Sequence, residues 1–393
     1  MIGRMRSVHE WANASNLCGL RVLGGLVNRL RTLVVCLLIA GTAVASPAGA
    51  VTPTAAGTAA RAAVPGAAAK PGWSALPVPA AAPPVTVSGL AARGPREAWA
   101  TASEQTADGP RPVLYRWDGT AWSRDTTFPG ADEPGTLREV RFVGEEMWTL
   151  HVRAGEGEIL RRSAAGWSAL PLPGTLWTYQ DFAAVPGAAW VVGEDSTGLK
   201  VLHHDGSGWT VQPTPDDVLY LMGVTARAAD DAWAWADTGT GTTVLRWDGT
   251  AWRDARVPLP PDANIHTILL EPSGRATIGG SQYVDGAART YLMTFDGRTW
   301  HTSYPRLGDT DASAVVRGPD GALWLPVRSD RAFQSKYARV DGARTTFSYG
   351  PERTNAIDVR PRALARGGGS LLSFGTVEIY GAKPNLMSER LGG

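Results

Sequence analysis

The hexapeptide Trp117-Asp118-Gly119-Thr120-Ala121-Trp122 recurs unchanged as Trp247-Asp248-Gly249-Thr250-Ala251-Trp252. Looser copies, Asp205-Gly206-Ser207-Gly208-Trp209 and Asp296-Gly297-Arg298-Thr299-Trp300, keep the Asp-Gly pair with Trp four places after the Asp. A chain that repeats itself must build one small unit many times and bury each unit's apolar face against the next. Residues held in every copy are therefore parts of the unit first. Chemistry is to be sought among residues that break the pattern.

Two aromatic landmarks alternate along the chain. One is a Trp in the strand after a tight turn: Trp73, Trp122, Trp167, Trp209, Trp252 and Trp300, with Phe347 in the last slot. The other is a Trp near the middle of a short apolar strand: Trp99, Trp148, Trp190, Trp233 and Trp324, with Ala276 and Leu372 in the two weak slots. Each series has seven members about 42–49 residues apart, the spacing of propeller blades. One period reads as four strands, in the second unit Leu137–Val143, Met147–Val152, Glu158–Ser163 and Trp167–Leu172. Asp-Gly joins the third strand to the fourth, where it predicts a type I′ hairpin turn. Pro-rich crossings such as Leu170-Pro171-Leu172-Pro173 lead to the next unit.

Seven four-stranded antiparallel units with no helical period between them predict an all-β fold, a seven-bladed β-propeller over residues 72–393. The chain enters on a fourth strand, Trp73–Val78, while the last unit supplies only Asn355–Arg360, Ser370–Gly375 and Val377–Gly381. Closure of the ring by the N-terminal strand follows, with the tail Pro384–Leu391 as the competing candidate for that edge.

The order Trp190-Val191-Val192-Gly193, then Val201-Leu202-His203-His204-Asp205-Gly206, then Trp209 resembles the kelch repeat and the galactose-oxidase-like propellers built from it. Only Ile278-Gly279-Gly280 carries a true double glycine, and other units depart with Ala234-Trp235-Ala236-Asp237 or Leu325-Pro326-Val327. The resemblance covers about residues 72 to 381 and implies architecture alone. Galactose oxidase needs copper and a Tyr cross-linked to Cys. Cys18 and Cys36, the two cysteines of the chain, both fall in the segment read next as a leader.

Arg21, Arg29 and Arg31 precede the apolar run Leu33–Ala40 and the small residues Ala43-Val44-Ala45. That order is read as a signal peptide over 1–45, its run too short for the roughly 20 residues of a membrane span. Residues 46–71, rich in Ala, Pro, Gly and Thr, are read as a flexible linker. Only four of the 38 basic residues are Lys, a bias that with the Ala, Gly and Pro content fits a high-GC, actinobacterial type of source. Without the leader the chain holds 33 basic and 36 acidic residues and no basic stripe, so nucleic acid is not expected as a partner.

The repeated Trp residues are read as wedges between sheets and the repeated Asp as a turn residue. Candidate ligand-binding residues are those that break the pattern in the crossings and second-to-third-strand loops: Trp177, Tyr179, Asp181, Tyr220, His266, Tyr283 and Arg331. Asp195, Lys200, Gln282, Asp285, Gln334 and Lys336 accompany them. His203 and His204 are adjacent on a strand and point to opposite faces, so they form no shared metal site. No metal or cofactor is expected, although Asp309 and Asp311 offer oxygen ligands suited to Ca²⁺. No catalytic motif of hydrolase, zinc-protease or phosphate-loop type occurs. The expectation is a secreted, monomeric, non-enzymatic binding module for an extracellular carbohydrate or protein. The alternative is a glycoside hydrolase or polysaccharide-lyase-like enzyme with its site on the same face.

Overall fold

The Asp-Gly turns set the sheets locally. In the first, the Asp118 carboxylate accepts the N–H groups of Thr120 (2.7 Å) and Ala121 (2.9 Å) and the Thr120 hydroxyl (2.7 Å). The Asp118 N–H in turn donates to the Ala121 carbonyl. Gly119 alone takes the left-handed conformation, at φ +103°. The turn is thus a four-residue loop organised by its Asp side chain, not the expected type I′ turn, which needs two positive φ values. Asp205, Asp248 and Asp296 accept the same two backbone N–H bonds, and Asp205 and Asp248 also the hydroxyl, from Ser207 and Thr250. Those bonds hold the carboxyls of Asp118, Asp205 and Asp248 down at about 2.

The computed structural model describes residues 72–308 and 314–392. The leader and linker expectations, together with Asp309 and Asp311, lie outside the described residues. The described chain forms seven four-stranded antiparallel sheets, numbered I to VII here in the order of their first strands. They cover residues 85–125, 136–171, 178–212, 220–254, 263–303, 316–349 and 356–391, the last joined by Trp73–Leu76. The first strand of every sheet lines one central channel of about 850 Å³. This is the all-β seven-bladed propeller.

Closure uses both termini. In sheet VII the strands are Ala356–Gly367, Ser370–Ile379, Asn385–Leu391 and, outermost, Trp73–Leu76 paired with the C-terminal strand. The N-terminal strand closes the ring, and the tail is the third strand rather than a rival for the edge. Ser370–Ile379 runs unbroken through Gly375, where a Cβ would overlap the Arg360 carbonyl. That glycine marks a close approach of backbones and not a strand end.

The wedges follow one rule. In five of the seven seams the second-strand Trp of one sheet meets the fourth-strand Trp of the next: Trp99 with Trp167 at 6.3 Å between centroids, Trp233 with Trp300 at 6.1 Å and Trp324 with Trp73 at 6.2 Å. Trp148 with Trp209, and Trp190 with Trp252, share clusters in the same way. Sheets VII and I meet through Leu372 and Trp122. Cross-strand register corrects two slots. Thr277, opposite Thr294, takes the second-strand slot of sheet V rather than Ala276. Thr345, opposite Val340, takes the fourth-strand slot of sheet VI rather than Phe347.

The seam between sheets VI and VII is sealed by polar groups as well. The fully buried Glu389 carboxylate accepts bonds from Ser335, from the Tyr337 hydroxyl (2.7 Å) and from Arg353 (2.7 Å). Gly350 lies so close that a Cβ would overlap Ser335 and Glu389.

Candidate functional site

The channel wall owes its chemistry to a backbone irregularity. Register shifts by one residue in six of the seven first strands, between Val87 and Gly89, Leu137 and Val140, Tyr179 and Asp181, Leu221 and Gly223, Ile265 and Thr267, and Pro361 and Ala363. A β-bulge inserts one unpaired residue and re-aims it. Here the inserted residues are Ser88, Arg138, Gln180, Met222, His266 and Arg362, all of them lining the channel. Because the bulges fall at the same register in each sheet, these side chains form one tier. The next tier holds Gly89, Glu139, Asp181, Gly223, Thr267 and Ala363. Trp235 supports this level: a Cβ at Gly223 would overlap its ring. The Thr149 hydroxyl bonds the Arg138 and Glu139 carbonyls freed by the bulge of sheet II (3.0 and 2.8 Å).

Glu139 and Asp181 stand on neighbouring sheets at the same tier. Enclosure by the channel wall raises the Glu139 carboxyl, an effect opposed by Arg141 3.6 Å away. Enclosure, with the nearby Glu139 charge, pushes Asp181 up to about 7. Arg141 and two backbone N–H donors, Phe182 (2.8 Å) and Val224 (3.1 Å), oppose that rise. The bond to Val224 also ties sheet III to sheet IV. Above this pair, burial raises the Tyr220 phenol, aided by the Glu194 charge and opposed by Gln180 and Arg138. His266 pairs with the Ser281 hydroxyl at 2.8 Å.

Antiparallel alternation places the crossings and the second-to-third-strand loops at the same end of every sheet. Seven of the nine exposed large apolar side chains among the described residues belong to that end: Trp177, Leu219, Tyr283, Phe333, Ile357, Ile379 and Tyr380. Trp177 is 72% exposed and Tyr380 84%. Trp177 and Leu219 hold equivalent places, each donating its N–H to the last residues of the neighbouring second strand, Glu194 and Asp237.

The residues singled out in the sequence therefore separate into three places. Asp181 and His266 line the channel, and Tyr220 is bonded to the channel residue Gln180; Trp177 and Tyr283 stand exposed on the loop face. Arg331 lies on the same face, over the Tyr349 ring (4.0 Å) and bonded to Gln334 (2.9 Å). Tyr179 is instead a core residue, its hydroxyl spent on the Gly155 carbonyl and the Leu176 N–H. Asp195 and Lys200 pair with each other at 3.0 Å. Arg138, Glu139, Arg141, Gln180 and Arg362 were not foreseen. For Arg138 and Gln180 the sequence carries a signal, since with Met222 and His266 they recur at the repeat spacing. No group of three or more potential metal ligands gathers among the described residues.

No family model matches the chain, and no characterised protein matches it in sequence. Solved structures do match in fold. One, described as YCF48 bound to D1 peptide, has TM-score 0.50 and 15% identity, covering 82% of this chain and 97% of its own. Another, a streptogramin B lyase, has TM-score 0.53 and 12% identity, covering 81% and 97%. At such identities the likeness extends to the fold alone.

Proposed function

We propose that the protein is a secreted binding module, of kelch-like type, that holds an extended polypeptide across its loop face with side chains reaching the channel mouth. The exposed apolar side chains gathered at that one end carry the reading, because apolar surface concentrated on one face of a soluble domain marks an interaction site. Aliphatic Leu219 and Ile357 favour a polypeptide over a glycan, since sugars stack on aromatic rings but gain little from branched alkyl groups. A structural neighbour bound to a peptide is in keeping with this choice.

The test is selection of random displayed peptides on the full chain, repeated with the Trp177→Ser, Leu219→Ser double variant. Recovery of a peptide set that the variant binds at least about tenfold more weakly, a loss of ~1.4 kcal/mol, supports the reading. Equal binding by the variant, or capture of glycans alone, refutes it. Recovery of an N-terminally shortened chain in culture medium tests export.

One observation favours a second reading. A carboxyl near 7 beside another carboxylate is suited to acid–base catalysis at neutral pH, and a second neighbour in fold is a lyase. Activity on a polysaccharide that disappears in Asp181→Asn would favour the enzyme.

A further inference from the structure

The seam between sheets V and VI lacks its wedge. Elsewhere the second-strand Trp stands opposite a basic third-strand residue, as Trp99 does to Arg116, Trp148 to Arg161 and Trp233 to Arg246. In sheet V both positions are threonine, Thr277 opposite Thr294. The facing fourth-strand slot in sheet VI is Thr345. Three large side chains are absent from one seam.

A cavity of about 300 Å³ opens at this seam. Its wall residues Thr294, Leu323 and Val340 occupy the positions held between sheets I and II by Arg116, Met147 and Arg162. In that seam Arg116 lies over Trp99, Arg162 lies over Trp167, and Met147 packs in the same cluster. The cavity thus stands beside the place where the other seams put indole rings. Close-packed interiors forfeit dispersion energy at a void, which a planar ring would recover against the apolar part of the wall. The wall is mixed: Phe295, Leu323 and Val340 supply apolar surface, and Asp296, Ser303, Arg317 and Asp341 supply polar groups. Exposed Arg275 and His301 stand at the rim, where a cation can face a ring.

We propose that this seam is a binding site for a small planar aromatic ligand of indole size. The cavity is bordered by the first-to-second and third-to-fourth turns, such as Gly321 and Asp296, so it opens at the end opposite the loop face. It is therefore independent of the polypeptide reading.

The experiment is ¹⁹F NMR of 5-fluoroindole with the full chain, N-acetyltryptophanamide serving as competitor. A ligand of this size is expected to bind with Kd about 0.1–1 mM. The Thr277→Trp, Thr345→Trp variant fills the seam from within; it should weaken binding at least about tenfold and raise Tm. Arg275→Gln should weaken binding about threefold, in keeping with one exposed cation–π contact, and leave Tm unchanged. Displacement by N-acetyltryptophanamide supports the proposal with a partner's Trp side chain as occupant, and failure to displace supports it with a free aromatic compound. Absence of binding by the wild type overturns it, as does undiminished binding by a folded double-Trp variant. Should that variant not fold, undiminished binding by Arg275→Gln overturns it instead.

Discussion

Trp73, on the strand that closes the ring, lies 3.7 Å from Tyr337 of sheet VI between ring centroids, only 18° from parallel. Its indole N–H donates to the Ser348 hydroxyl at 3.0 Å, across 275 residues of chain. One side chain from the N-terminal strand thus locks sheet VII to sheet VI, and it is buried there at 7% exposure. Trp73→Ala should cost about 3–5 kcal/mol, the usual loss for deleting a buried aromatic ring. Denaturant unfolding will measure it. Removal of Trp73–Leu76 altogether should cost more, because the C-terminal strand then becomes an exposed edge.

Glu389 makes a different kind of seal in the same seam. Its side chain has no exposed surface and Arg353 is its charged partner. Breaking a buried pair costs mainly through the charge left behind, not through the attraction lost. Arg353→Met should therefore destabilise by about 3–5 kcal/mol. Adding Glu389→Gln should recover part of that loss, and a double-mutant cycle by denaturation would show it. A double variant no more stable than Arg353→Met would contradict the account.

Asp181 gives the fold a pH dependence of unusual sign. Its folded-state pKa, about 7, lies above the ordinary carboxylate range, so the native protein holds this proton more tightly than the unfolded chain. The contribution is fully present below the unfolded pKa and is lost as pH rises toward 7. Tm of the wild type should accordingly carry a component that falls between about pH 4 and 7. Asp181→Asn removes the titration and should flatten that component, whatever it does to absolute stability through the Val224 bond. Parallel slopes for the two proteins would sink the assignment.

The repeated Trp and Asp-Gly made sheet number, strand count and closure readable, because each marks a position that must be filled alike in every sheet. The ruler slipped where the landmark itself was missing. Ala276 stood one residue before Thr277, and Phe347 two residues after Thr345, since small polar residues carry no periodic signal of their own. Gly375 misled for another reason: glycine admits a close backbone neighbour as readily as it ends a strand. The channel tier was the larger omission. A bulge reverses the inward–outward alternation on which strand reading rests. Asp181 and His266 could thus be named as departures from the repeat, but not joined to Arg138 and Glu139 in one wall.

Thr277 offers a test at the seam without a wedge. Its hydroxyl is fully buried and has no hydrogen-bond partner. A buried polar group left unpaired costs about 1–3 kcal/mol. Thr277→Val keeps the branched shape and removes the hydroxyl, so it should stabilise the protein, by about 1 kcal/mol or more. At Thr149, whose hydroxyl bonds two carbonyls of the bulge in sheet II, the same change should destabilise by a similar amount. Opposite signs for one substitution at two equally buried threonines, read from denaturation midpoints, would separate the unpaired hydroxyl from the general effect of losing one. A destabilised Thr277→Val would mean instead that the seam supplies that hydroxyl with a bound partner such as water, and the dry, unpaired account of its cost would fall.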